Sequence, residues 1–173
     1  MKVLVFFATI EGQTARIARF VARELEQAGH EVALIDAADK TAEVSPEDFD
    51  RVILAGSVHE RRHPRLFEMF LAAERKVLDP DRTLLISVSL MAAFDSSRDK
   101  ALDFVEEMEM RTGFKAKAVA LVAGAVRPSS YDYFATQVLR HVVLRGKGYR
   151  PEDGDKEFTD WAALKSTVMD FVA

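Results

Sequence analysis

The sequence predicts a three-layer α/β domain: a doubly wound parallel sheet of five strands in the order 2-1-3-4-5, with helices on both faces. Three observations predict it. Apolar runs of strand length alternate with helical stretches along the chain. The runs are continuously apolar, as strands covered on both sides are. Gly29 and Gly113 close two of the helical stretches before the next run begins.

The elements follow in order. Lys2 to Ala8 is the first strand. Ala15 to Ala28 is a helix, with Ile17, Ala18, Val21, Ala22, Leu25 and Ala28 on one face. Glu31 to Ile35 is the second strand, and the polar stretch after it breaks at Pro46. Arg51 to Ser57 is the third. Pro64 opens a helix to about Val77, with Leu66, Phe67, Phe70 and Leu71 inward. Thr83 to Leu90 is the fourth strand. Asp99 to Arg111 is a helix carrying Leu102, Val105 and Met108, and Lys117 to Val126 is the fifth strand. Thr159 is the expected cap of a last helix from near Asp160, which carries Trp161, Leu164, Val168 and Phe171. The chain reads as one domain, 1–173, with 127–158 inserted after strand five. That stretch is far longer than a connection needs.

Composition excludes several classes of function. The 173 residues contain no cysteine, so disulfides, thiolate metal sites and thiol catalysis are absent. The net charge of −4 disfavours a nucleic-acid partner. No run reaches the ~18 apolar residues of a membrane span, and the N-terminus lacks a signal-peptide cleavage pattern, so a cytoplasmic protein is expected.

"TIEGQT", Thr9 to Thr14, joins the first strand to the first helix where a doubly wound sheet binds ligands. The amides ahead of a helix are unpaired and partly positive. Thr9 and Thr14 add hydroxyls, Gln13 an amide, and Gly12 lets the backbone close round a tetrahedral group. The loop has no Lys or Arg, and neither the nucleotide P-loop pattern nor the dinucleotide glycine pattern occurs. Neutral donors suit a flavin mononucleotide phosphate better than a triphosphate. The same residues also suit a plain helix cap, and the loop by itself leaves both readings open.

"T-x-x-G-x-T" resembles the flavodoxin phosphate loop. Taken in order, "ATIEGQTARIA", "LAGSV", "ISVSLMA", "VAGAVR" and "EFTDW" resemble the menaquinone-dependent protoporphyrinogen IX dehydrogenases, a flavodoxin-like family of bacterial haem synthesis. The resemblance implies FMN as cofactor, with the flavin carrying the chemistry and no catalytic side chain or metal. It places Thr9, Ile10, Glu11, Gly12, Gln13 and Thr14 at the phosphate. Ser57, Val58 and His59 fall along one edge of the flavin, and Ser89, Leu90, Met91 and Ala92 along the other. The loop at Arg127 closes over the site. The family has Arg-Tyr-Gly after "GSV"; this chain has His59, Glu60 and Arg61. Arg61, Arg62 and Arg127 are the expected partners of a dicarboxylate porphyrinogen substrate. His59 and His63 are expected to face solvent.

The inserted stretch carries Arg127, Arg140, Arg145, Lys147 and Arg150 against Asp132. Tyr131, Phe134, Val138, Leu139, Val142 and Val143 recur at helical spacing among them. Such a segment, 131–150, suits an anionic membrane surface, where a quinone acceptor resides. It also suits packing on the domain's own flank, or a second copy in a homodimer. Two alternatives to the dehydrogenase stay open: a flavodoxin-type FMN electron carrier, and a cofactor-free binding module.

Overall fold

The computed structural model describes residues 1–131 and 133–173, with the side chains of Ser130, Tyr133, Phe134 and Val142 left aside. The readings made for Asp132, Phe134 and Val142 therefore lie outside the described residues.

Five parallel strands form the sheet: β1 (Lys2–Ala8), β2 (Glu31–Asp36), β3 (Arg51–Ser57), β4 (Thr83–Ser89) and β5 (Ala118–Ala123). Their order is β2-β1-β3-β4-β5, as the sequence predicts. Alternation along each strand sends neighbouring side chains to opposite faces. Val3, Val5 and Phe7 meet Ile17, Val21 and Leu25 of α1 (Gln13–Gln27) and Leu164 and Val168 of α5 (Trp161–Val172). Leu4 and Phe6 meet Phe67 and Leu71 of α2 (Arg65–Glu74) and Val105 and Met108 of α3 (Arg98–Thr112). The three-layer architecture follows from this division.

Several local expectations are corrected. Leu66 is 47 % exposed and Leu102 42 % exposed, so neither faces the core. The buried stripe of α2 is Phe67 and Leu71, one turn apart, and α3 buries Ala101, Phe104, Val105 and Met108 instead. The last helix is capped by Asp160, whose carboxylate accepts from the Ala163 amide at 3.0 Å. The Thr159 hydroxyl instead donates to the Ala123 carbonyl at 2.7 Å.

The fifth apolar run is also not one strand. It leaves the sheet at Gly124, whose amide donates to the Ser89 carbonyl and whose carbonyl accepts from the Phe158 amide. The next two residues form β6 (Ala125–Val126), which pairs antiparallel with β7 (Lys156–Glu157). This short ribbon closes the neck of the insertion. Inside it, α4 (Tyr133–Val138) runs into a π-helical turn, Leu139–Val143. Val126, Leu139, Leu144 and Tyr149 form a third small core, packed against Leu90, Phe94 and Phe158. Most of the described apolar side chains of 131–150 are thus turned onto the domain's own flank.

Phe67 is fully buried, 6.4 Å from Phe6 and 5.8 Å from His63 between ring centres. Phe67→Ala is expected to cost about 3–5 kcal/mol by urea denaturation, and a loss below about 1 kcal/mol would contradict this packing.

Candidate functional site: an anion cradle at the strand ends

β1 ends at Ala8 and α1 begins at Gln13, so the chain must turn sharply between them. Gly12 turns it at φ 89°, in the left-handed region that only glycine enters freely. Its amide donates to Thr9 Oγ1 at 2.9 Å, which tightens the turn. A β-carbon on Gly12 would meet nothing within 4 Å, so open space lies beyond it. The first amides of α1 have no intrahelical acceptor and carry the positive end of its dipole.

Two hydroxyls at this place lack partners. Thr14 is 1 % exposed, and its Oγ1 has no hydrogen-bond partner among the described residues. Ser57, at the end of β3 beside β1, is half-buried as a residue, but its Oγ is buried and likewise has no partner among the described residues. A buried hydroxyl left unsatisfied costs about 1–3 kcal/mol. Thr14 lies in the first turn of α1 behind the left-handed Gly12, and Ser57 ends the strand paired with β1, so both unsatisfied hydroxyls belong to the end of the sheet where the loop turns. The donors are neutral and number enough for a phosphate monoester, so these residues fit the FMN headgroup.

Gln13 does not join that set. It is buried, and both its amide protons are used: Nε2 donates to Glu157 Oε1 at 2.6 Å and to Thr159 Oγ1 at 3.0 Å. Its oxygen accepts from Arg127 Nη2 at 3.2 Å, while Arg127 Nη1 donates to the Glu11 carbonyl at 3.3 Å. Tyr131 adds a hydrogen bond to Glu11 Oε2 at 2.8 Å. Burial and that bond push the Tyr131 phenol above its ordinary range. Glu157, Thr159 and Tyr131 were not singled out as site residues by sequence. The sequence signal for the first two is "EFTDW" itself, in which Thr159 reads as a helix cap and Glu157 has no local partner.

The chain after β3 folds into a two-residue hairpin. His59 and Arg62 exchange backbone hydrogen bonds at 2.9 and 3.0 Å, with Glu60 at φ 48° and Arg61 at φ 68°. Such a turn takes positive φ at both central residues and favours Gly or Asn. Arg61 is held by Glu107 at 2.6 Å and lies over the Phe104 ring, which fastens the hairpin to α3. Arg61 and Arg127 are thus engaged within the chain, whereas the Arg62 side chain has no partner among the described residues. His59 is exposed, 4.0 Å from Glu11 Oε1.

The remaining expected residues line the strand ends. The Val58 amide donates to the Val88 carbonyl at 2.8 Å, and Ser89 Oγ accepts from the Ala92 amide at 3.2 Å. Leu90 packs beneath the insertion, Met91 is half-buried, and Ile10 is 54 % exposed at the rim.

A sequence profile of the flavodoxin domain matches residues 4–153. The chain belongs to the flavodoxin domain family. It is 24 % identical over 162 residues to the protoporphyrinogen IX dehydrogenase [quinone] of Escherichia coli K12, covering 93 % of this chain and 89 % of that one. The Leishmania major protein of the same name is 22 % identical over 174 residues, covering 99 % and 75 %. Among solved structures, oxidised flavodoxin 1 of Bacillus cereus superposes with a TM-score of 0.57 at 16 % identity, covering 99 % of this chain and 97 % of that one. The Streptococcus pneumoniae TIGR4 flavodoxin gives 0.57 at 17 % identity, covering 99 % and 98 %.

One residue of this flavodoxin domain corrects an expectation. His63 is 3 % exposed, not solvent-facing. The hairpin folds back so that His63 drops into the notch at Gly56, where a β-carbon would stand 2.9 Å from Phe67 and 3.0 Å from the His63 ring. His63 Nε2 and Ser87 Oγ share a hydrogen bond of 2.9 Å, and Nδ1 has no partner among the described residues. Burial lowers its pKa to about 4, with Glu68 opposing and Arg111 assisting. In the unfolded chain it titrates near 6.5. Between those values only the unfolded state takes up the proton, so stability is lost as pH falls from 6.5 to 4. The loss attributable to His63 is expected to reach about 3 kcal/mol. Urea denaturation of wild type and His63→Asn across that range checks this, and identical pH slopes would contradict it.

Proposed function

We propose that this flavodoxin-domain protein is an FMN-dependent oxidoreductase that oxidises protoporphyrinogen IX to protoporphyrin IX and passes the electrons to a quinone. The carrying observation is the pair of buried, unpartnered hydroxyls, Thr14 and Ser57, beside the free amides after Gly12. The names of the E. coli and L. major relatives support the substrate and the acceptor.

When bound, FMN supplies acceptance of electrons from the substrate and their delivery to the quinone. Six electrons and six protons leave the porphyrinogen, so three quinones become three quinols. The chain's own work is positional. Thr9, Ile10, Glu11, Gly12 and Thr14 orient the headgroup, and Gln13 holds the loop that does so. Ser57, Val58 and His59 lie along one edge of the cleft, and Ser89, Leu90, Met91 and Ala92 along the other. The guanidinium of Arg62, which has no partner among the described residues, is assigned to a propionate of the substrate, a pairing that arginine makes bidentately. Arg61 and Arg127 are assigned to holding the hairpin and the phosphate loop.

Among the described residues no helix is long and apolar enough to cross a membrane. Contact with a quinone-bearing anionic bilayer is assigned to the outer side of the insertion, where Val138 and Arg145 are exposed. Arg145→Glu is expected to reduce sedimentation with anionic vesicles severalfold, by loss of about 1 kcal/mol per cation and added repulsion. Unchanged sedimentation would contradict that assignment.

The cofactor reading is checked by titrating the apoprotein with FMN and following flavin fluorescence. Saturable quenching is expected, and Thr14→Val, which removes the hydroxyl at nearly constant volume, is expected to weaken it about tenfold. Absence of binding by the wild type would overturn the proposal.

A further inference from the structure

We infer that Glu157, at the closing strand of the insertion, is a positioning residue for the phosphate loop: it holds Gln13 and so keeps the loop in its anion-gripping shape. The inference rests on the FMN reading above and extends it to a residue outside the cradle.

The geometry converges on one carboxylate. Glu157 Oε1 accepts from Gln13 Nε2 at 2.6 Å and from Arg16 Nη1 at 2.8 Å, and Oε2 accepts from Trp161 Nε1 at 3.2 Å. Gln13 and Arg16 both lie in the first turn of α1, so Glu157 ties that turn to the neck of the insertion. The carboxamide of Gln13 has one workable orientation here, with its NH2 toward a carboxylate and its oxygen toward the Arg127 guanidinium. Arg127 in turn reaches the Glu11 carbonyl, so the chain of contacts spans the loop from Glu11 to Gln13. Burial alone would raise the Glu157 carboxyl, but hydrogen bonds from Gln13 and Trp161 and the charge of Arg16 hold it below its ordinary range. The ionised form is therefore the one that braces the loop.

Charge and position make opposite demands on this residue. A carboxylate behind an anion site repels the anion, so on Coulombic grounds alone removing it strengthens phosphate binding. A brace does the reverse: without it Gln13 turns, its amide competes for the loop's acceptors, and the first-turn amides lose their common aim. The sign of the effect on FMN affinity thus separates the two roles. The effect is confined to the headgroup, because Glu157 contacts no residue of the hairpin after β3 or of the loop after β4 among the described contacts.

The test compares FMN with riboflavin, which lacks the phosphate. Wild type, Glu157→Gln and Glu157→Asp are titrated with each ligand by flavin fluorescence, and far-ultraviolet circular dichroism checks that each folds. Glu157→Gln is nearly isosteric and keeps an acceptor, so it preserves the fold while removing the charge-assisted bonds. Its FMN Kd is expected to rise about tenfold while its riboflavin Kd stays unchanged, and Glu157→Asp is expected to recover part of the loss. An unchanged or lower FMN Kd in Glu157→Gln, or equal weakening of both ligands, overturns the positioning role and leaves the cofactor reading intact. A wild type that binds no FMN overturns both.

Discussion

Everything about the site depends on one unmet requirement: among the described residues, the first amides of α1, Thr14 Oγ1 and Ser57 Oγ at the end of β3 have no protein acceptor to receive them. Thr14 Oγ1 and Ser57 Oγ are buried and unpartnered, and the helix dipole adds partial positive charge at the same point. A folded chain tolerates such a cost where a ligand relieves it. The absence of Lys and Arg from the loop is then a feature of the recognition. On the FMN reading, selectivity for a single phosphate monoester would follow from the number and direction of neutral donors rather than from bulk charge.

The insertion backs two loops at the strand ends. Its small core, built on Val126, Leu139, Leu144 and Tyr149, rests on Leu90 and Phe94, so it covers the loop after β4 from one side. Its neck, the β6–β7 ribbon, places Glu157 and Thr159 against Gln13 and Arg127 against Glu11. The chain therefore holds the loop after β1 from behind with residues about 145 positions away in sequence. Across from it, the hairpin at Glu60 and Arg61 adopts left-handed backbone at two positions without glycine. Arg61 has φ 68°, and its contacts to Glu107 and Phe104 supply the hold that offsets the strain.

Much of the fold was legible because it is local. Continuous apolar runs mark strands buried on both faces, and Gly12 marks a turn that needs positive φ. What was not legible arises from contacts distant in sequence. The run from Ala118 to Val126 is apolar and broken only by Gly124, which also fits a continuous strand, and the break there is made by Phe158 pairing from the far end of the insertion. His63 sits in a polar stretch that reads as surface, and only the return of the hairpin onto Gly56 buries it. Leu66 and Leu102 match helical spacing as well as their neighbours do, but each helix has room for one stripe against the sheet. Gln13 reads as a phosphate donor in the loop, and its partners, Arg127, Glu157 and Thr159, lie at the two ends of the insertion, far away in sequence. Arg61 and Arg127 read as free cations for the same reason.

The most direct test of this account is a crystal structure of the protein grown or soaked with FMN. The account predicts the phosphate within hydrogen-bond distance of Thr14 Oγ1, Ser57 Oγ and the amides following Gly12, with Gln13 still turned toward Glu157. A phosphate bound elsewhere, or a cradle closed by its own side chains with Thr14 and Ser57 satisfied internally, would contradict it.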